Sequence, residues 1–313
     1  MADGNKYNKM TAKMALDLMA PHTWPASLGP SIFGCTFCIF KGWSLAPWQT
    51  LSLICASVLM QSSVNALNDY IDYVKGTDSK SDNLERSDAV LLYENIDPKD
   101  ALMLSIGCLV LAGVLGVLLI LSSCLIPLYI GIIGALCVIF YSGGRTPISY
   151  LPIGELVSGF VMGGLIPLAC AAVATCAWHF EIIRYALPFI ISIGLIMLNN
   201  NGCDIEKDIE ANRKTLPVML GREKTRKLQK TAIIIWIILL WVLPIMLMGW
   251  KGALCGILAH IFARKPMLYM MDSPLTQDNR IRQMVTILKC NKYANGMYII
   301  TLMVGIVLDL IKG

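Results

Sequence analysis

Two short stretches hold nearly all the residues of this chain that could do chemistry together. In the first, Asn65, Asn68, Asp69 and Asp72 recur three and four residues apart, so they share one face of a helix. In the second, Asn200, Asn201, Asp204 and Asp208 repeat the pattern. Carboxylate and amide oxygens are hard ligands, suited to Mg²⁺, which is usually held by a few carboxylates together with substrate phosphates. Asn68, Asp69, Asp72, Asp204 and Asp208 are therefore the candidate metal ligands. Two acidic faces brought together would repel unless cations lay between them, and a diphosphate bridged by Mg²⁺ balances that charge. Lys75, Arg145, Arg213 and Lys214 are placed to hold the remaining phosphate oxygens, with Asn65 beside them. One acidic helix end alone reads as a solvated boundary. Two with matched spacing read as a site. A transporter would set such carboxylates nearer the middle of a membrane.

The elements that must carry these faces are apolar. Of 313 residues, 56% are hydrophobic and 15% are charged, with a mean hydropathy of +0.63. Soluble domains usually carry about 25% charged residues. Nine apolar blocks lie near 24–43, 49–67, 101–122, 124–142, 155–178, 183–203, 231–250, 252–271 and 294–311. Most approach the ~20 residues a helix needs to cross a bilayer. Lipid offers the backbone no hydrogen-bond partner, so each block is expected to be helical. Pro25 and Pro30 interrupt the first block, and His260, Arg264 and Lys265 fall in the eighth. The first motif continues the second block and the second motif continues the sixth. That layout suggests two four-helix pseudo-repeats plus a ninth helix, in one domain over 1–313, with motifs at 65–78 and 200–217.

Basic residues are asymmetric. Lys6, Lys9 and Lys13 precede the first block, Lys207 to Lys230 fill the connection after the sixth, and Arg280, Arg282, Lys289 and Lys292 precede the ninth. Alternate connections carry little more than Lys41, Arg184 or Lys251. The positive-inside rule then puts the N-terminus, the basic loops and both motifs on the cytoplasmic side of the cell membrane. The net charge of +5 follows from topology and attraction to anionic lipid, and calls for no nucleic-acid partner. Residues 1–20 lack the apolar core of a cleaved leader. The 11 cysteines fall almost wholly in apolar blocks and read as small buried hydrophobes, the Cys35/Cys38 pair included. His22 reads as an interface residue at a helix start, with a base near the site as the other reading, and His179 and His260 read as structural or interfacial.

The motifs resemble the two signatures of the UbiA superfamily of intramembrane prenyltransferases. Asn65-x-x-Asn68-Asp69-x-x-Asp72 matches the first and Asp204-x-x-x-Asp208 the second. Within it the chain is most similar to the 1,4-dihydroxy-2-naphthoate polyprenyltransferase branch. The supporting residues are 68–78, Pro152-x-Gly154-Glu155, 200–208, Thr215-Leu216-x-Val218-x-Leu220-Gly221 and Thr23-Trp24-Pro25-Ala26-Ser27. The resemblance implies nine transmembrane helices around a central cavity capped by cytoplasmic loops. It implies Mg²⁺ and an isoprenoid diphosphate between the motifs, with Asp69, Asp72, Asp204 and Asp208 as the catalytic carboxylates. Ionisation of the allylic C–O bond would yield a cation, attacked by an aromatic quinone precursor. Tyr70, Tyr73 and Tyr141, with Asn200 and Asn201, are candidates to line the cavity, since aromatic faces stabilise cations.

The chain departs from that branch at Ala20-Pro21-His22, at 86–95 and at Cys203. These positions leave open what the cation meets: an aromatic acceptor, or its own double bonds in a terpene cyclase of the same superfamily. A non-catalytic transporter or lipid-binding protein is the third alternative. The acid-rich segment 79–100 reads as a solvated loop, with a substrate-ordered lid as the other possibility.

Overall fold

The computed structural model describes residues 7–76 and 89–312. Among them there is no strand, only an isolated bridge between Asn8 and Ile96. A short helix α1 (Ala12–Leu18) is followed by α2 (Pro25–Phe40), α3 (Pro47–Lys75), α4 (Val90–Glu94), α5 (Pro98–Leu121) and α6 (Ile126–Ser142). Next come α7 (Gly154–Phe160) and α8 (Ile166–Thr175), joined without a break by a π-helical turn over Val161–Leu165. The chain continues through α9 (Glu181–Tyr185), α10 (Leu187–Cys203), α11 (Ile205–Glu210), α12 (Leu216–Leu220), α13 (Arg222–Met248), α14 (Ala253–Met271) and α15 (Arg280–Lys312).

Among the described residues, five helical stretches are long and apolar enough to cross a membrane: 47–75, 98–121, 154–175, 222–271 and 277–311. The fourth contains both α13 and α14. Three shorter apolar helices, α2, α6 and α10, stand beside them. The prolines sit where helices tolerate them. Pro25, Pro47, Pro98 and Pro188 occupy first-turn positions, where no intrahelical N–H is needed. Pro30, Pro244 and Pro266 lie inside helices, as membrane helices allow when neighbours re-satisfy the backbone. On α5 and α6, Met103, Val110, Val114, Leu121, Ile132 and Leu136 are exposed. A soluble monomer rarely shows so continuous an apolar face; against lipid tails it needs no cover.

The interior is aromatic and locally polar. Phe33 of α2 lies 4.8 Å from Phe189 of α10 and 5.2 Å from Tyr298 of α15, ring centre to ring centre, which ties three helices together. Trp236 of α13 donates to Asn295 Oδ1 (3.0 Å), and Asn295 donates to Ser192 Oγ of α10 (2.8 Å). α10 also presses against α7 and the π turn. A Cβ on Gly159 or Gly163 would stand 2.5 Å from the Ile190 backbone, so only glycine permits that approach.

Of the segment 79–100, residues 79–88 lie outside the described set. The rest is anchored: Ala89 is buried, and Val90, Leu91 and Ile96 lie in a small apolar cluster with Leu18 and Ala66.

Candidate active site

The first motif occupies the last turns of α3, which stops where Gly76 takes a left-handed conformation (φ 66°) after Lys75. Asn65 donates to Met19 O and Thr23 Oγ1 (both 3.0 Å), fastening α3 to the segment before α2. Asn68 Oδ1 accepts from Ser142 Oγ at the end of α6 (2.8 Å). Asp69 Oδ2 accepts from the Val90 amide (2.9 Å). Asp69 and Asp72 are 6% and 7% exposed, so neither is a freely solvated helix-end charge.

The second motif straddles a break. Asp204 both closes α10 and opens α11, with a non-helical φ of −104°. α11 then turns back at Asn212, whose φ of 54° suits a short polar side chain. The Arg213 amide closes that turn on Asp208 O (2.8 Å). The turn sends the Arg213 side chain across to α3. Its guanidinium lies 2.8 Å from Asp72 Oδ1 and 3.7 Å from Asp208 Oδ1. Arg280, at the start of α15, makes the corresponding contact on the other side: Nε donates to Asp204 Oδ2 (3.1 Å) and Nη2 to Asn200 Oδ1 (2.7 Å). Asn201 turns to Glu155 of α7 instead (2.8 Å). The repulsion expected between two acidic faces is thus met by two arginines.

The electrostatics are strained. Burial pushes the Asp208 carboxyl up to about 6, although Arg213 and a 3.0 Å hydrogen bond from Thr215 oppose that shift. Burial works to lower the Arg213 pKa, but Asp72, Tyr150 and Asp208 outweigh it and hold the guanidinium charged. The Tyr150 ring also receives two cations, with Arg213 4.6 Å and Lys75 4.8 Å from its centre.

These groups form the polar end of a cavity of about 1000 Å³ whose remaining wall is mostly apolar, from Met60 and Ala112 to Ile130, Ile166 and Val173. Asn65, Asn68, Asp69, Asp72, Asn200, Asn201, Asp204, Asp208 and Arg213 all line it, as does Tyr141. Five expected residues do not. Tyr70 and Tyr73 pack against the apolar cluster under α1 and α4, because each follows an aspartate by one position and so points about 100° away from the carboxylate face. Lys75 is exposed and held at Tyr150 Oη (3.4 Å). Arg145 and Lys214 are exposed outside the cavity. His22, weighed as a base, lines it too; conversely, sequence spacing missed Arg280 and Lys207, which line it, and Glu155 and Tyr150, which stand behind it. Arg280 had looked like one charge among several in a basic loop. Its position at the first turn of an apolar helix was the available signal.

The donor set fits magnesium of one kind. Among the described residues no three His, Cys, Asp or Glu side chains stand close enough to form a ready-made metal cage. Mg²⁺ needs only one or two carboxylates when substrate phosphates and water complete its shell. Paired aspartates facing each other across a cavity mouth match that requirement.

Comparison with known proteins bears on the fold and the family. The chain is 27% identical over 292 residues to 1,4-dihydroxy-2-naphthoate octaprenyltransferase of Bacillus subtilis (strain 168), covering 93% of this chain and 91% of that one. It is 26% identical over 204 residues to UbiA prenyltransferase domain-containing protein 1 of Homo sapiens, covering 65% of this chain and 60% of that protein. A solved UbiA homologue from Archaeoglobus fulgidus, bound to DMAPP and Mg²⁺, shares the fold with a TM-score of 0.63 at 14% identity, over 94% of this chain and 99% of that one. A structure of digeranylgeranylglyceryl phosphate synthase gives 0.61 at 19% identity, over 95% and 98%. The profile of the UbiA prenyltransferase family matches residues 27–286, and the chain belongs to that family.

Proposed function

We propose that this chain transfers a prenyl group from an isoprenoid diphosphate to an aromatic quinone precursor such as 1,4-dihydroxy-2-naphthoate, with Mg²⁺ as cofactor. The observation that carries the reading is Arg213, which draws Asp72 of one motif and Asp208 of the other to one polar mouth above an apolar cavity. The Bacillus subtilis relative favours the naphthoate acceptor. Nine membrane-crossing helices, with the mouth facing the cytoplasm across the cell membrane, suit the basic flanks of the motifs.

In this mechanism Asn68, Asp69 and Asp72 hold one side of the metal–diphosphate group, and Asp204 and Asp208 hold the other. Asn65 braces the first set. When bound, Mg²⁺ neutralises charge developing on the phosphate oxygens. Arg213, Arg280 and Lys207 lie at the mouth, where the leaving diphosphate gathers charge. Lys75, Arg145 and Lys214 form an outer basic ring that attracts the anionic substrate. The allylic C–O bond breaks with its electron pair on the diphosphate. The acceptor's ring carbon bonds to the allylic carbon and then loses a proton. Tyr141 lines the cavity and offers its ring face to the cation, while the apolar walls keep water away.

The test is incubation with geranyl, farnesyl, geranylgeranyl and longer prenyl diphosphates, with and without 1,4-dihydroxy-2-naphthoate, products being read by mass. A prenylated naphthalene formed only with acceptor and Mg²⁺ is expected. A cyclic hydrocarbon formed without acceptor overturns the transferase reading in favour of cyclisation.

A further inference from the structure

The two thiols at the far end of the bundle, Cys124 and Cys176, stand together and outside the proposed reaction. Cys124 lies in the turn joining α5 to α6, and Cys176 caps α8. Both ends are opposite the motifs, since α5 and α6 meet the motif side at Pro98 and Ser142, and α7 meets it at Glu155. The two residues converge on one acceptor: Ala172 O receives the Cys176 amide at 2.9 Å and the Cys124 thiol at 4.0 Å. The neighbouring Cys124 thiol pushes the Cys176 thiol up. Cys176 is exposed and Cys124 half-buried. Cys176 also holds a left-handed backbone (φ 55°), which turns its side chain out of the helix it ends.

We propose that Cys124 and Cys176 form a disulfide that staples the α5–α6 turn to the end of α8, at the end of the bundle opposite the motifs. Leu119, Ile120, Pro127 and Val173 line the cavity just inside that bond. The bond forms by exchange with a small-molecule or protein disulfide. A thiolate of the pair attacks it, the second thiol displaces the mixed disulfide, and two thiols of the oxidant are released. The inference takes one thing from the proposed topology: this end faces away from the cytoplasm, where disulfides persist. A second pair, Cys35 and Cys170, has its sulfurs 3.8 Å apart, but the two are 3% and 0% exposed. Aqueous oxidants do not reach it, so it remains a packing contact and serves as an internal control.

The full chain in lipid nanodiscs is treated with dithiothreitol or with glutathione disulfide, digested, and its peptides mapped by mass. Oxidation is expected to join Cys124 to Cys176 with loss of two hydrogens and to leave Cys35 and Cys170 as thiols. Cys124→Ser is expected to stop at a glutathione adduct on Cys176. A persistent glutathione adduct on Cys176 in the unaltered chain overturns the proposal, as does a bond from either residue to another cysteine. A membrane-impermeant maleimide applied to intact cells expressing the chain separates this from the topology. Labelling of reduced Cys176 from outside supports both. Labelling only after permeabilisation overturns the orientation and, with it, disulfide formation in the cell, even where the bond forms in nanodiscs. Outside labelling without any mapped bond overturns the disulfide and leaves the orientation standing.

Discussion

Arg280 and Asp204 are 6% and 8% exposed, and their ion pair helps compensate the burial of both charges. Breaking such a pair from one side leaves an uncompensated charge and costs about 3–5 kcal/mol. Arg280→Ala is therefore expected to lower the unfolding midpoint sharply, and the double variant Arg280→Met with Asp204→Asn to recover part of the loss; purely additive losses would show that the pair does not couple. Asp208 supports a pH prediction. Its folded pKa of about 6 lies above the ordinary 3.8, so below pH 6 the group holds a proton that a metal must displace. Apparent Mg²⁺ affinity should fall as pH drops through 6, and Asp208→Asn should bind more weakly and flatten that dependence, as titration with Mg²⁺ and a non-hydrolysable diphosphate would read. The carboxylates and Arg213 were legible from spacing and charge alone. Arg280 was not, because its partner is distant in sequence. Tyr70 and Tyr73 misled because residue type was followed without its angle around the helix.

At the scale of the helices, apolar blocks located the elements well. The block at 252–271 is helical despite His260, Arg264 and Lys265, because these residues ride one continuous α14. Block length did not reveal the π turn, which leaves no mark in composition or hydrophobic spacing, nor the break at Asp204 that splits α10 from α11. Gly159 and Gly163 carry the motif helix α10 by letting it approach α7 and the π turn. Gly163→Ala must push the Ile190 backbone away and is expected to cut turnover about tenfold or more while leaving helical content intact. Equal losses of circular dichroism signal and activity would instead mean that the bundle has come apart. Gly107, whose Cβ would meet nothing within 4 Å and which does not line the cavity, is the control: Gly107→Ala should leave turnover unchanged.

For the whole molecule, the exposed apolar faces of α5 and α6 make the bilayer part of the fold, and the basic flanks of the motifs set its direction. Lys214 is exposed on the motif side. In Lys214→Cys, a membrane-impermeant reagent should label the new thiol in inside-out vesicles and not in right-side-out ones, with the site mapped by mass. The reverse pattern would place the polar mouth outside. The helical architecture followed from composition because lipid leaves the backbone few options. The cavity did not, because its wall is assembled from residues of many helices, none unusual in its own segment.

The π turn at Val161–Leu165 has one more consequence. It accommodates an extra residue inside an otherwise α-helical span. Deleting a single residue there, such as Met162, would restore regular winding and leave the later side chains of α8 near their present angle, because the wide turn has already absorbed the extra ~100°. Ala169 and Val173 would still face the cavity while Glu155 kept its hold on Asn201. The surplus residue thus shapes the bore locally, at Val161 and Met162, without moving the hydrophobic bore out of phase with the polar mouth.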